Sequence, residues 1–200
     1  MRIPCDIREQ GVVLTNDETN FSSVLNYYTA ENVYVSHVFE EKLKELLPRL
    51  STTRVTPEFE KLVFRMGYAG KQFDLSDVSD GTLKAMLLTM LIFIPVNEGL
   101  SLLAIDKPEM NLHPVWQKII GRWIQLSDNF KQCFISTHSP DFLDVFTDGF
   151  KQGMIGIYVF NDTESNIKKI IYSDIKNELD DWLLGDLYRN AEPLLGGWPW

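Results

Sequence analysis

An aspartate directly follows an apolar run near the middle of this chain. Residues 102–105 are Leu, Leu, Ala and Ile, and Asp106 comes next. Such a run is typical of a buried parallel strand, which would place the carboxylate at the C-terminal edge of a sheet, where α/β folds bind ligands. A carboxylate there is the hard oxygen ligand that Mg²⁺ prefers. The alternative is that Asp106 is an ordinary turn residue.

Two further segments place polar groups where a helix begins. Residues 133–136 (CFIS) form a second apolar run, and the letters THSP, which include His138, follow it. Ser79, Asp80 and Gly81 precede a long apolar stretch. A hydroxyl, backbone amides and a helix N-terminus together form an anion-binding device. The alternatives are that Ser79 only caps a helix and that the histidine has no special role.

The periodicity of apolar residues predicts the elements that position these groups. Helices are predicted at 21–28, 36–47, from about 79, at 114–126 and at 174–184, and strands at 11–14, 54–65, 100–105, 133–136, 154–160 and 166–172, with a polar turn at 16–20. The segment 54–65 is predicted to be a hairpin or an edge strand, since Pro57 cannot donate to a ladder. Trp116 and Trp123 are predicted to lie in the core. The fold class is α/β, with a mostly parallel sheet flanked by helices.

Composition limits the kind of partner that this chain can bind. The net charge of −9 disfavours an extended nucleic-acid-binding surface, because binding of phosphates needs clustered Lys and Arg. The longest apolar run, 85–96, is shorter than the roughly 20 residues that span a bilayer, so we interpret it as a buried helix. Cys5 and Cys133 are far apart and there are three histidines, which disfavours structural zinc and indicates a cytoplasmic protein.

Four motifs, in this order, resemble a known family. The chain reads VSDGTL, LLAIDKPEMNLHP, FISTHSPDFLD and LGDLYRNAEPLLGG. It resembles the ATP-binding-cassette-like ATPases of the SMC and OLD type, and most closely the bacterial AAA-type ATPases found beside nucleases and in phage-defence operons. The likeness covers residues 74–200 well and the first seventy loosely. We therefore divide the chain into an N-terminal helical and β appendage, 1–72, and part of an ATPase domain, 73–200.

The resemblance implies roles for these residues in binding ATP and Mg²⁺. Ser79, Asp80 and Gly81 match the signature segment, which touches the γ-phosphate of ATP bound to the other subunit. Asp106 matches the Walker B aspartate that holds Mg²⁺, and His138 matches the switch histidine that senses the γ-phosphate.

Two more residues of the second motif have open roles. Glu109 and His113 belong to the segment that reaches across the dimer in the family. The alternative is a loop acid and a histidine at a helix start.

The chain departs from the family in two respects. It contains no GxxxxGK[ST] phosphate-binding loop, and its Gly70-Lys71 pair is followed by Gln72. Lys107 stands where the family has the acid that orients the attacking water, and an ammonium cannot accept a hydrogen bond from water. We therefore expect the C-terminal part of an incomplete P-loop ATPase head.

These observations lead to a function and to one alternative. The chain is expected to supply the signature, the Mg²⁺ aspartate and the switch histidine to a composite ATP site, as a homodimer or with a phosphate-loop-bearing ATPase or nuclease. Whether it is an enzyme stays open, because hydrolysis would need the partner's loop. The alternative is an inactive interaction subunit that docks on a full ATPase or nuclease. In either case, 133–136 is expected at a sheet edge.

Overall fold

The computed structural model describes residues 5–6, 13–15, 19–30, 32–94, 102–161, 166–190 and 195. The elements in chain order are β1 (Cys5–Asp6), α1 (Phe21–Thr29), α2 (Val33–Leu46), β2 (Leu50–Glu58), β3 (Lys61–Tyr68), β4 (Lys71–Asp74), α3 (Asp80–Phe93), β5 (Leu102–Asp106), α4 (Pro114–Leu126), β6 (Gln132–Ser136), α5 (Pro140–Asp144), α6 (Thr147–Lys151), β7 (Ile157–Asn161), β8 (Asn166–Ile170), α7 (Lys176–Asp181) and α8 (Leu184–Arg189).

The chain divides into two compact units. The first comprises Met1–Ile105 and Met110–Phe134, and the second comprises Asp106–Glu109 and Ile135–Trp200. The boundary that the sequence suggests at residue 72 stays a prediction.

The first unit contains an antiparallel sheet centred on β3. Strand β2 pairs along the whole of β3, while β1 and β4 pair with opposite ends of β3. The β2–β3 turn has positive φ angles at Phe59 (46°) and Glu60 (65°), the backbone that suits tight hairpins between twisted strands. This confirms the hairpin predicted over 54–65, with Pro57 in the outer strand β2.

Helices α1 to α4 supply the core of the first unit together with β3. Residues along α3 are buried on almost every side, as expected for the run 85–96, and the Ser127 hydroxyl and Asn129 amide both donate to the Ile92 carbonyl near its end, at 2.7 and 2.8 Å. Trp123 is buried as predicted and donates to Glu45 at 2.9 Å. Trp116 is only partly buried, contrary to expectation, because it lies towards the edge of the buried face of α4.

Strands β5 and β6 form a separate two-stranded sheet. In the described ranges β6 pairs with β5 alone, as expected for an edge strand. Both strands were expected to be buried, but Leu102 is 48% and Phe134 is 54% exposed. The reason is that alternate side chains of this short sheet face solvent. Cys133 points the other way, and burial raises the pKa of its thiol to about 11.

The second unit packs α5 to α8 and the antiparallel β7–β8 hairpin around an apolar cluster. Its buried members are Phe150, Ile170, Ile175, Leu179, Leu184, Leu187 and Leu195. The helix predicted over 174–184 is instead split into α7 and α8, because Trp182 and Leu183 are extended.

The expected α/β class is confirmed by this mixture of helices and sheets, although the strand pairs in the described residues are mostly antiparallel. The pairings around β3 and between β7 and β8 are antiparallel. Two predictions at the N-terminus fall largely outside the described residues: Val13 and Leu14 are not in a strand, and Thr19 and Asn20 form a turn. None of the described helices is long and apolar enough to cross a membrane.

Truncating Phe64 to alanine should lower the free energy of unfolding by about 3–5 kcal/mol, the usual cost of a large cavity. Phe64 is 1% exposed and its ring packs edge-on against Phe21, with centroids 6.0 Å apart. Phe59→Ala is the matched control, because Phe59 is 99% exposed in the neighbouring turn. Urea denaturation followed by circular dichroism measures both, and equal losses would contradict the assigned core.

Candidate functional site

The C-terminal ends of β5 and β6 meet at one edge of their sheet. The Lys107 N–H donates to the Ser136 carbonyl at 3.0 Å and lies 3.2 Å from the Ser136 hydroxyl oxygen. Because both strands end where this bond forms, they run side by side in the same direction. The segments that follow the two strands, 107–109 and 137–139, therefore start next to each other.

Asp106 lies at this edge with an exposed carboxylate. The Ser136 hydroxyl donates to its Oδ1. Within the described ranges there is no cluster of three or more His, Cys, Asp or Glu residues able to hold a metal. A single oriented carboxylate still fits Mg²⁺, which takes one or two protein carboxylates and completes its shell with water and phosphate oxygens.

Lys107 adopts a left-handed backbone conformation, with φ at 46°. This region is unfavourable for residues other than glycine by about 1–2 kcal/mol. The Lys107 N–H contacts both the carbonyl and the hydroxyl oxygen of Ser136, and Pro108, which is buried, disfavours the right-handed helical conformation for the residue before it. Strain of this kind concentrates at functional sites, which supports a role for this loop.

Glu109 holds the loop that carries the candidate switch histidine. Its Oε1 accepts the backbone N–H of His138 at 2.9 Å. The loop is fixed further by its own side chains, since Thr137 Oγ1 accepts the Ser139 N–H at 3.0 Å and Ser139 caps α5 by accepting the Phe142 N–H at 3.2 Å. The imidazole of His138 is exposed. The structure thus brings Asp106, Lys107, Glu109 and His138 together.

The signature segment forms the start of α3. Ser79 Oγ accepts the Thr82 N–H at 3.2 Å, so this serine is a helix cap. Gly81 is buried, and a Cβ there would overlap the carbonyl oxygen of Asn111. Only glycine therefore lets the 110–113 loop lie against this helix. Asp80 is exposed in the first turn.

An acidic turn precedes the same helix. The Ser76 hydroxyl and amide both donate to Asp74, and the hydroxyl bond lowers the pKa of Asp74 although burial opposes it. Asp77 accepts the Asp74 N–H at 3.0 Å. With these carboxylates nearby, a phosphate at the start of α3 would need a cation beside it.

His113 begins α4, and its Nδ1 accepts the Val115 N–H at 3.2 Å. This bond directs the other ring nitrogen away from the helix, and the side chain is exposed. The preceding loop is held by Gln117, whose buried amide donates to the Leu112 carbonyl at 3.0 Å. The histidine therefore caps the start of α4, and its role in reaching across a dimer stays a prediction.

The Gly70-Lys71 pair does not form a phosphate-binding loop. It occupies the tight turn between β3 and β4, where Ala69 and Gly70 have φ angles of 53° and 79°. A phosphate loop would instead join a strand to a helix.

Sequence reasoning missed Ser136 and Arg189. Ser136 touches both Asp106 and Lys107, and the signal available was its position at the end of the second apolar run. Arg189 lies in the LGDLYR motif and forms ion pairs with two aspartates of α5. No local sequence pattern predicts this contact.

Comparison with known proteins adds a family and a fold. The family model described as "AAA domain, putative AbiEii toxin, Type IV TA system" matches residues 16–144. The retron Vc95 probable ATPase of Vibrio cholerae serotype O1 biovar El Tor is 28% identical over 120 residues, which cover 55% of this chain and only 23% of that relative.

Solved structures of SMC proteins share the fold. An SMC ATPase described for its ATP-driven dimerization and DNA-stimulated activation has a TM-score of 0.52 at 16% identity, over 79% of this chain and 98% of that chain. The Smc head domain with an extended coiled coil, bound to the C-terminal domain of ScpA and derived from Pyrococcus furiosus, has a TM-score of 0.51 at 13% identity, over 79% of this chain and 40% of that chain. This likeness shows the expected α/β, P-loop NTPase-like fold.

Replacing Glu109 tests whether its carboxylate holds the loop of His138. Glu109→Ala should lower the free energy of unfolding by about 1.5–3 kcal/mol, the value of a hydrogen bond to a charged group. Glu109→Gln should lower the free energy of unfolding by less, because its amide oxygen can still accept a hydrogen bond from the His138 N–H. Urea denaturation of the three proteins measures this, and equal losses in the two variants would refute the assigned contact.

Proposed function

Because the chain belongs to the AAA-domain family matched by residues 16–144, we propose that it supplies part of a composite ATP site. The family is one of ATPases, which use a nucleotide and usually Mg²⁺. The observation that carries the proposal is the meeting of Asp106 with the His138 loop at one sheet edge, through the Lys107–Ser136 and Glu109–His138 hydrogen bonds.

In this proposal Asp106 holds Mg²⁺ as the Walker B aspartate. The Ser136 hydroxyl keeps the carboxylate turned to the open edge of the sheet, where it is exposed. The metal would neutralise charge on the phosphates.

His138 and Lys107 act on the phosphates in different ways. The exposed imidazole of His138 is the switch group, and it donates to a γ-phosphate oxygen while Glu109 fixes its backbone. The Lys107 ammonium cannot accept a hydrogen bond from an attacking water and so cannot activate it as the acid of the family would. It serves as a counter-ion for the phosphates and partly replaces Mg²⁺.

The signature belongs to the second half of the composite site. Ser79, Asp80 and Gly81 of one copy contact the γ-phosphate of ATP held by another copy, so a homodimer or a phosphate-loop-bearing ATPase or nuclease completes the site. Glu109 and His113 lie in the segment that reaches across this interface. The SMC relative described above undergoes ATP-driven dimerization, which supports the arrangement.

The proposal also covers ATP hydrolysis, the cellular role of the chain and its binding to nucleic acid. The 200 residues contain no GxxxxGK[ST] motif, and in this proposal a partner's phosphate-binding loop supplies it for hydrolysis. A cytoplasmic role in phage defence is proposed from the retron relative and the toxin–antitoxin family description. Direct nucleic-acid binding is not part of it, because the net charge is −9.

A second function is favoured by one specific observation. Lys107 replaces the acid of the family at the position that would activate water, which suits a protein that docks on a full ATPase or nuclease without turning over ATP. An upstream reading frame that encodes GxxxxGK[ST] would favour the composite enzyme, and its absence would favour the interaction subunit.

The purified chain alone should release no phosphate from Mg-ATP above background, because Lys107 cannot activate water and Gly70-Lys71 lies in a hairpin turn. A phosphate-release assay with wild type and His138→Ala measures this. Turnover by the wild type that the substitution abolishes would refute the requirement for a partner's loop.

Lys107→Glu should make nucleotide binding depend more strongly on Mg²⁺, because it removes a fixed cation and restores the acid of the family. Calorimetric titration with ATP, with and without Mg²⁺, compares it with the wild type. Lys71→Glu is the control, since it changes the net charge equally in an exposed turn of the first unit. If Lys107→Glu binds like the wild type under both conditions, Lys107 is not a counter-ion.

A further inference from the structure

Helix α5 follows the His138 loop and is too short to be stable by itself. It has five residues, Pro140–Asp144, whereas isolated helices below about 12–15 residues are marginal in water. Ser139 caps its start and Pro140 occupies the first turn, but these local features order only the backbone at one end. Its position must therefore depend on a neighbouring element.

That element is α8, which lies directly against the backbone of α5. A Cβ on Gly185 would overlap the Pro140 carbonyl oxygen and the Asp144 carboxylate, so only glycine permits this approach. The start of α8 is fixed in turn, because the Leu184 N–H donates to the Thr147 hydroxyl at 3.1 Å and Leu184 is fully buried.

Arg189 joins the two helices by ion pairs. Its guanidinium bonds to Asp141 at 3.1 Å and to Asp144 at 3.3 Å, both on α5, and to Asp186 on its own helix at 2.8 Å. The Asp144 side chain is only 8% exposed. A single exposed ion pair contributes little to stability. Here one planar guanidinium binds several carboxylates, one of them buried, and so fixes the relative position of the two helices more firmly than a single surface pair would.

We propose that Arg189 and Gly185 are positioning residues, which hold α5, and through it the 137–139 loop, in the place where Glu109 accepts the His138 N–H. The proposal deepens the function proposed above and rests on it, since the loop matters because His138 meets the phosphate. The LGDLYR motif then holds the 137–139 loop in place, an effect that we call the clamp. In this proposal its residues do not touch the nucleotide.

Amide exchange tests the clamp without any nucleotide. Exchange rates of the His138, Phe142 and Leu143 amides, measured by NMR on the full chain, report the loop and the first turn of α5. Arg189→Ala should speed their exchange about fivefold, because the ion pairs that oppose local opening are lost. Arg189→Lys, which keeps the charge but not the planar fork, should fall between Arg189→Ala and wild type.

Arg65→Ala is the matched control. Arg65 forms a similarly exposed ion pair with Glu58 at 2.8 Å, but in the first unit, so it should leave these three amides unchanged. If the three amides exchange in Arg189→Ala as in the wild type, or if all amides of the second unit speed up equally, the clamp is refuted. If Arg189→Ala does not fold, Arg189→Lys decides: faster exchange confined to the three amides supports the clamp, and wild-type exchange refutes it.

A nucleotide titration separates this inference from the function on which it rests. Addition of Mg-ATP to the wild type, with a phosphate-loop partner supplied, should shift the His138 imidazole resonances. A wild type that does not respond would count against the proposed ATP site. The exchange rates measured without nucleotide still decide whether Arg189 positions the loop.

Discussion

The hydrogen bond between the Lys107 N–H and the Ser136 carbonyl determines what the candidate site can be. It fixes the ends of two strands at one sheet edge, so that Asp106 and the His138 loop start side by side. Lys107 adopts a left-handed backbone at the place where this bond forms, and the following proline disfavours the right-handed helical alternative. The chain thus accepts local strain to bring two distant segments into register.

Two glycines show how the motifs act through packing. Gly81 lets the Asn111 carbonyl approach the start of α3, and Gly185 lets α8 approach the carbonyl of Pro140. In each case a side chain would separate two backbone segments that carry residues of the proposed site. The motifs that resemble the family therefore contain residues that bring backbone segments together as well as residues proposed to bind the nucleotide.

In the proposed function, the arrangement suits nucleotide binding better than turnover by this chain alone. Asp106 and His138 are both exposed at the sheet edge, where phosphate and metal can reach them. Lys107 offers a positive charge where an acid would activate water. The exposed Leu102 and Phe134 on the same short sheet also show that this region keeps apolar surface open to solvent. The chain belongs to the AAA-domain family and shares the fold of SMC heads.

The sequence alone determined several of the elements and the residue types of the candidate site. Helix 114–126, the 54–65 hairpin and the cap at Ser79 follow from patterns within a few residues, so local physics suffices to predict them. Tertiary structure alone decided that Glu109 holds the His138 amide, that Arg189 joins α8 to α5, and that β5 and β6 keep one face open. These depend on contacts between segments far apart in the chain, and hydrophobic periodicity carries no information about which distant partner a side chain meets.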